Sequence, residues 1–174
     1  MTGWSGNILR IDLDPGSPIF CLTEEWFSLQ SMISDILGFS MEAHGDPWGL
    51  MGLTICYDIR FPNLFRDLAK AGAKVIFSPA AFTRVTGEAH WHVLQRARAI
   101  ENGCYIVSPA QVGTHANNRK TFGHSLIVNP WGEVLADGGT ETGFIVSELD
   151  LGAVDICRSK VPSLYNDQAY LKPI

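Results

Sequence analysis

Apolar positions along the middle of the chain fall into short continuous runs that alternate with stretches of helical spacing. The runs at 51–56, 74–78 and 104–108 have the length and character of buried strands. Between them, apolar residues recur every three to four positions over 61–72 and again over 88–102. The resulting order of strand, helix, strand, helix and strand predicts an α/β fold with a sheet covered by helices.

Proline and glycine mark the ends of these predicted helices. Pro62 fits the first turn of the first helix, where its missing N–H has no partner to lose, and Gly72 ends that helix. Gly103 ends the second helix in the same way. The inward face of the second helix is predicted to carry Trp91, Leu94, Ala97 and Ile100.

The last third of the chain predicts further strands and one short helix. Two strands, over 122–129 and 133–136, flank a turn formed by the tetrapeptide NPWG at 129–132. A strand over 144–149 and a helix over 150–158 follow.

The beginning of the chain is weakly patterned, and it is interpreted as an atypical N-terminal segment, 1–45, ahead of a main domain at 46–174. A short alternating strand is predicted over 7–14. A helix is predicted over 23–38, because Thr23 can cap it and two glutamates favour its first turn.

Composition narrows the class of protein. A chain of 174 residues that is 46% hydrophobic and 18% charged has the size and core of one globular domain. The net charge of -5 and the pI near 5.4 argue against a nucleic-acid partner. The sequence shows neither a long apolar span nor a signal peptide, and its four cysteines form no CxxC pair. We therefore expect no membrane partner, a cytoplasmic location and reduced thiols.

Cys56 is the first candidate for chemistry. It ends a predicted buried strand, and the chain turns sharply after it before the helix at Pro62. Such a junction exposes a side chain beside backbone N–H groups that can face an oxyanion, and Arg60 adds positive potential that favours a thiolate. The alternative is that Cys56 is a small buried hydrophobic residue.

The histidines offer weaker candidates. His90 and His92 form an HxH motif on a predicted helix, where they point apart, so a shared metal ion is not expected. His124 is either a structural histidine or the partner of Cys56 in a dyad, which spacing alone does not support. We expect no metal site.

Three further features are predicted to be structural. Arg98 and Glu101, three residues apart on a helix, predict an ion pair, either at the surface or as a buttress. Cys104 and Cys157 lie in apolar patterns and are expected in the core.

Long motifs after residue 46 resemble the nitrilase superfamily, the carbon–nitrogen hydrolases. They are GLTICYDIRFPNLFRDLAKAGAKVIFSPAAF, GEAHWHVLQRARAIENGCYIVSPAQVG, GHSLIVNPWGEVLADGG and KVPSLYND. The resemblance covers about 46–167 without a gap and is greatest to the Nit-type amidases, the omega-amidase and deaminated-glutathione amidase group.

This resemblance implies an α-β-β-α sandwich of the nitrilase type, incomplete at the N-terminus, that forms a homodimer or higher homo-oligomer. It also implies a thiol amidase that needs no cofactor and hydrolyses a small-molecule amide to an acid and ammonia. Cys56 would be the nucleophile, and the backbone N–H of Tyr57 would bind the oxyanion. The implied substrate-binding residues are Arg60, Ala80, Ala81 and Phe82.

One part of the family pattern is missing. The resemblance implies a catalytic glutamate, a lysine and a second glutamate ahead of the cysteine, yet the first lysine of this chain is Lys70. Glu24, Glu25 and Glu42 stand in no matching context. We therefore expect impaired activity, and the hypothesis is that this chain is the C-terminal portion of an amidase with a lost or altered 5′ coding region.

Two other functions remain open at this point. The chain could be a non-catalytic fragment that assembles with a full-length paralogue or another partner. It could also be a Cys-His hydrolase that uses His124 as the base.

Overall fold

The fold is that of a computed structural model that describes residues 8–9, 40–41, 50–115 and 118–169. The described strands are β1 (Ile8–Leu9), β2 (Ser40–Met41), β3 (Met51–Leu53), β4 (Val75–Phe77), β5 (Tyr105–Ser108), β6 (Val112–Thr114), β7 (Lys120–Phe122), β8 (Leu126–Val128), β9 (Val134–Asp137) and β10 (Phe144–Ile145). The helices are a 3₁₀ helix (Cys56–Arg60), α1 (Pro62–Lys70), α2 (Arg84–Asn102) and α3 (Leu151–Lys160).

A six-stranded mixed sheet organises the fold, in the order β2-β3-β4-β5-β8-β9. The central strands β3, β4 and β5 are parallel, because each is joined to the next through a helix. The flanking strands β2, β8 and β9 pair antiparallel to their neighbours. Two small pairings lie outside this sheet: β6 with β7, antiparallel, and β1 with β10, parallel.

Both faces of β4 and β5 are buried, and this explains why their sequences are almost continuously apolar. Ile76 and Ile106 pack on the face covered by α1 and α2, together with Trp91 of α2. Val107 points to the opposite face, where it packs in one cluster with Val154 of α3. The predicted α/β architecture, a sheet covered by helices, is confirmed.

Several predicted boundaries are also confirmed. Pro62 is the first residue of α1. Gly103 follows α2 in the left-handed region, with φ of 55°. In the NPWG turn, the side-chain oxygen of Asn129 accepts hydrogen bonds from the backbone N–H groups of Trp131 and Glu133, at 2.9 and 3.0 Å.

Other predicted boundaries were wrong. The strand predicted over 51–56 ends at Leu53, and Cys56 begins a 3₁₀ helix instead. The strand predicted over 122–129 is interrupted because Gly123 and His124 have φ of 76° and 57°, which no extended strand accommodates.

Two elements, β10 and helix α2, differ in extent from the prediction, and one residue of α2 differs in exposure. The strand predicted over 144–149 is limited to Phe144–Ile145, where it pairs with β1. Helix α2 begins at Arg84, four residues earlier than predicted. Ile100 is 49% exposed although its spacing predicted an inward position, because it lies at the edge of the helix face that contacts the sheet.

The predicted helix over 23–38 and most of the predicted strand over 7–14 lie outside the described residues, as do Glu24, Glu25 and Glu42. Within the described ranges, no helix is long and apolar enough to cross a membrane.

Candidate functional site

The backbone of Cys56 is left-handed, with φ of 46°. A side chain with a Cβ rarely adopts this conformation, and such strain, of order 1–3 kcal/mol, persists only where the surrounding structure enforces it. The N–H of Cys56 donates to the carbonyl of Pro79 at 2.7 Å, which ties the residue to the chain that follows β4. The strained residue therefore lies at the end of two neighbouring parallel strands.

Two side chains hold this turn in place, one from the 3₁₀ helix itself and one from helix α2. The carboxylate of Asp58 accepts the backbone N–H of Ile55 at 2.9 Å. From helix α2, Arg98 donates Nε and Nη2 to the carbonyl of Ile59 at 2.9 and 2.6 Å, and it pairs with Glu101 at 2.7 Å. The Arg98–Glu101 pair is thus a buttress of the turn rather than a surface pair.

Two groups of this turn, the thiol of Cys56 and the backbone N–H of Tyr57, form no hydrogen bond with the other described residues. The thiol of Cys56 is only partly buried. A free thiol beside a free N–H donor is the arrangement that an acyl-transfer nucleophile needs.

Arg60 lies between two aromatic rings beside this turn. Its guanidinium carbon is 5.6 Å from the ring centre of Tyr57 and 5.4 Å from that of Phe82. Its Nη2 is also 3.3 Å from Nδ1 of His90. The structure therefore brings together three of the residues that the sequence singled out.

Ala80 and Ala81 directly follow Pro79, whose carbonyl accepts the hydrogen bond from the N–H of Cys56. Ala80 is buried, its N–H donates to the carbonyl of Pro109 and its own carbonyl accepts from Gln111. The carbonyl of Ala81 accepts Arg119 Nη2 at 3.1 Å. These two residues lie close to the Cys56 turn, and their backbones are engaged in hydrogen bonds with the rest of the fold.

A cavity of about 450 Å³ lies beside the β6–β7 hairpin. Its lining comprises Arg84, Glu88, Val112, Gly113, Thr114, Lys120, Thr121, Phe122, His124 and Thr140. Cys56 and the segment at 80–82 are not in this lining, so the cavity is separate from the turn that carries the thiol.

Two charged side chains, Asp58 of the 3₁₀ helix and Lys70 of α1, are bonded to groups other than the Cys56 thiol. Asp58 is engaged with Ile55, and Lys70 pairs with Asp167 at 2.6 Å. Among the described residues, no lysine or carboxylate side chain forms a hydrogen bond with the thiol.

His92, His124 and Asp137 form a cluster on the other side of α2. His92 Nε2 lies 3.0 Å from one carboxylate oxygen of Asp137, and His124 Nδ1 lies 2.9 Å from the other. Partial desolvation raises the pKa of Asp137, but hydrogen bonds from His92, Gly139 and His124 outweigh it and hold that pKa below its usual value.

This cluster settles two expectations about the histidines. His90 and His92 do point apart, since His90 contacts Arg60 and His92 contacts Asp137. His124 pairs with Asp137 instead of Cys56, so no dyad is formed. Sequence reasoning missed Asp137, because it lies 45 residues from His92 and no spacing rule links them.

The two cysteines predicted to be structural are buried. Burial raises the pKa of Cys104 to about 12, so this thiol is protonated at neutral pH. Cys157 is 7% exposed, and its thiol donates to the carbonyl of Pro130. Both are free thiols, as is Cys56, whereas Cys21 lies outside the described residues.

Comparisons with known proteins identify the family of this chain. The family described as carbon-nitrogen hydrolase matches residues 16–159. A deaminated glutathione amidase from Synechocystis is 50% identical over 121 residues, which is 70% of this chain and 44% of that protein.

Solved structures give the same result at the level of the fold. The crystal structure of the Caenorhabditis elegans NitFhit protein superposes with a TM-score of 0.66 and 38% identity, over 75% of this chain and 37% of that one. An amidase variant from Nesterenkonia sp. AN1 has a TM-score of 0.53 and 27% identity, over 61% of this chain and 38% of its own. In that structure, the acetamide moiety of fluoroacetamide is covalently added at the active-site cysteine.

The sequence resemblance to Nit-type members of the nitrilase superfamily is therefore confirmed, as is the nitrilase type of fold. This chain spans less than half the length of each of these relatives. The family match begins at residue 16, within the segment interpreted as atypical.

Proposed function

This chain belongs to the carbon–nitrogen hydrolase family, and we propose that it is an amidase that hydrolyses a small carboxamide with Cys56 as the nucleophile. The observation that carries the proposal is the left-handed backbone of Cys56, with its thiol and the next N–H both unbonded within the described residues. Strain of this kind concentrates at functional positions.

The proposed reaction has two steps. The thiol of Cys56 gives up its proton and the thiolate attacks the carboxamide carbon, while the oxyanion accepts a hydrogen bond from the Tyr57 N–H. The carbon–nitrogen bond then breaks, and the leaving nitrogen takes up that proton and departs as ammonia. Water then attacks the thioester, the carbon–sulfur bond breaks, and the acid and the free thiol are released.

The substrate is proposed to lie between the Cys56 turn and the aromatic pair around Arg60. The guanidinium of Arg60 lies within cation–π distance of the rings of Tyr57 and Phe82 and within hydrogen-bond distance of His90, and these contacts hold its position. These contacts support the proposal that Arg60 orients a polar substrate and that Phe82 and the backbone at 80–81 form one wall of its site. Deaminated glutathione is the first amide to test, because the Synechocystis relative is named deaminated glutathione amidase. Its amide bonds are secondary, so an amine takes the place of ammonia as the leaving group.

Turnover is proposed to be slow, since no lysine or carboxylate of the described residues reaches the thiol. A proton-transfer partner and an oxyanion donor each contribute roughly two to four powers of ten to rate. The proposal therefore separates the reactivity of the thiol from the full hydrolytic cycle, and the two are measured separately.

The reactivity of the thiol is tested with acrylamide and fluoroacetamide, followed by peptide mapping in a mass spectrometer. We expect Cys56 to be modified at least tenfold faster than Cys104 and Cys157, which are buried and serve as internal controls. Equal modification of the three thiols would contradict the assignment.

The hydrolytic cycle is tested with the wild-type chain and Cys56→Ser side by side. The readout is release of a primary amine from deaminated glutathione, whose amide bonds are secondary, and release of ammonia from glutamine-like primary amides. We expect release that depends on Cys56. Release that is unchanged in Cys56→Ser would rule out this nucleophile, and the Cys104→Ser variant provides a matched control that should retain wild-type activity. The oligomeric state, proposed to be a homodimer or larger, is measured on the same samples by light scattering.

A further inference from the structure

The cluster of His92, His124 and Asp137 has no part in the proposed amidase chemistry. Its three residues come from helix α2, from the turn between β7 and β8, and from the end of β9. One ligand atom from each, two imidazole nitrogens and a carboxylate oxygen, lies within 4.8 Å of the other two. Three such atoms from three separate elements of the fold can surround a single ion.

We propose that this cluster is a binding site for a divalent transition-metal ion, with Zn²⁺ the ion that fits it best. Imidazole nitrogens suit zinc and its neighbours, whereas Mg²⁺ and Ca²⁺ prefer oxygen ligands. Two histidines and one carboxylate are a known zinc ligand set that leaves a coordination position open.

The distances from Asp137 to the two histidines are close to those between the ligands of a zinc ion. Ligands at about 2.0–2.2 Å from a tetrahedral zinc ion lie about 3.3–3.5 Å from one another. The carboxylate oxygens of Asp137 now lie 3.0 Å from His92 Nε2 and 2.9 Å from His124 Nδ1. Replacing the shared protons by the metal ion therefore widens the two separations from Asp137 by a few tenths of an ångström. The two histidine nitrogens, which lie within 4.8 Å of each other, must come to the same 3.3–3.5 Å.

Two of the ligands are already held in position. The ring of His124 stacks on Phe122, with centroids 4.4 Å apart and an interplanar angle of 25°. Its backbone is fixed on both sides, because Trp91 Nε1 donates to its carbonyl at 2.7 Å and its own N–H donates to Gly139 at 2.6 Å. Gly139 also donates its N–H to Asp137, which orients the carboxylate.

The site is open to solvent on one side. About a third of the side-chain surface of His92 and of Asp137 is accessible, and His124 also lines the cavity beside the β6–β7 hairpin. An ion bound by the cluster therefore has a free coordination position that water or a small anionic group can reach from outside.

The experiment is a calorimetric titration of the full chain with Zn²⁺ alone at neutral pH, in the Cys56→Ser background so that the exposed thiol adds no second site. We expect one ion per chain. Co²⁺ is used as a second probe, and its visible spectrum should lack the charge-transfer bands of thiolate ligands.

Variants assign the ion to the cluster. Loss of an outer hydrogen-bond partner of a metal ligand weakens binding roughly 10- to 100-fold, so loss of a direct ligand should weaken it by more than about 100-fold. We expect this of His92→Ala, which stands on an accessible helix position, and of His124→Asn, in which Asn tolerates the left-handed backbone. His90→Ala is the matched control, since His90 is two residues from His92 on the same helix and should leave binding unchanged.

The proposal is overturned if Zn²⁺ does not bind, if His92→Ala binds as tightly as the parent chain, or if His90→Ala loses binding to the same extent. Circular dichroism shows that each variant is folded. The thermal midpoint of the parent chain should rise on addition of Zn²⁺, whereas that of His92→Ala should not. A rise in both would also overturn it.

Discussion

The turns at Cys56 and His124 have the same backbone conformation, but their side chains have different surroundings. Both residues are left-handed, with φ of 46° and 57°. The N–H of each donates to a carbonyl, Pro79 for Cys56 and Gly139 for His124. The ring of His124 is fixed by Asp137 and by stacking, whereas the thiol of Cys56 has no hydrogen-bond partner within the described residues.

Helix α2 supports both turns from the same side of the sheet. Arg98 donates to the carbonyl of Ile59 behind Cys56, and Trp91 donates to the carbonyl of His124. The comparison indicates that the same left-handed backbone can leave a side chain without a partner or hold it in a cluster, and that the outcome depends on the groups around the side chain. The predictions that follow separate these two cases.

The largest effect is expected from Arg98→Met. Arg98 is 6% exposed and forms two hydrogen bonds to one carbonyl, so its loss leaves that buried carbonyl without a donor and Glu101 without a partner. We expect a loss of about 3 kcal/mol in the free energy of unfolding and slower, less selective modification of Cys56. Urea denaturation measures the first, and acrylamide labelling the second.

Arg84→Met is the control for Arg98→Met. Arg84 lies at the start of the same helix in an exposed pair with Glu88, so its removal should change stability by less than about 0.5 kcal/mol. Equal losses in the two variants would mean that Arg98 does not specifically support the Cys56 turn.

Trp91→Phe should produce the next largest effect, on the other turn. The substitution keeps most of the ring but removes the donor to the carbonyl of His124. We expect a loss of about 2 kcal/mol by urea denaturation, with the modification rate of Cys56 unchanged. Trp131→Phe is the matched control, because Trp131 is 61% exposed and its substitution should be nearly neutral. A slower Cys56 reaction in Trp91→Phe would show that the two turns are coupled.

Glycine at each left-handed position tests the comparison directly. Glycine adopts this backbone without strain, so Cys56→Gly should be within about 1 kcal/mol of the wild-type stability, or more stable. His124→Gly gains the same relief but loses the contacts to Asp137 and Phe122, so we expect it to be about 1 kcal/mol less stable. Thermal and urea denaturation of the two glycine variants and the wild-type chain measure these differences in stability. Similar losses in both would show that the Cys56 side chain is also a structural element.

The buried thiol of Cys104 provides the smallest effect and the contrast to Cys56. Its pKa is about 12 in the folded chain against an ordinary value of 9.0, so the folded state retains the proton above pH 9 while the unfolded state loses it. Stability is therefore present below pH 9 and falls as the pH rises, by about 1 kcal/mol between pH 9 and 10. Urea denaturation across this range should show the decline in wild type and a flatter profile in Cys104→Ala. Parallel profiles would contradict the assignment.

Local signals in the sequence were sufficient for the start of α1 and the end of α2, although not for the start of α2. Pro62 and Gly103 mark helix ends because their backbone preferences are properties of single residues. The NPWG turn was predictable for the same reason, since the Asn129 side chain bonds to its own neighbours in the chain. The boundaries of β3 and β8 were not predictable, because nothing in a cysteine or histidine by itself specifies a positive φ.

Family motifs singled out the candidate site residues around Cys56, and the fold added the contacts that hold them. The sequence indicated an ion pair between Arg98 and Glu101. Only the structure shows that Arg98 of this pair also donates hydrogen bonds to the carbonyl of Ile59. Arg60 was singled out by its motif, while its position between Tyr57 and Phe82 depends on how the segment after β4 returns to the turn.

The sequence by itself determined the class of fold, the family and the cysteine to examine, because apolar periodicity and long contiguous motifs are properties of the chain read in order. Tertiary structure alone decided which side chains are available and which are occupied. His92, His124 and Asp137 meet because the chain crosses the sheet and returns, and Cys56 is strained because Pro79 and Arg98 hold its turn from other elements. Contacts between residues that are distant in sequence depend on packing, and no local pattern encodes them.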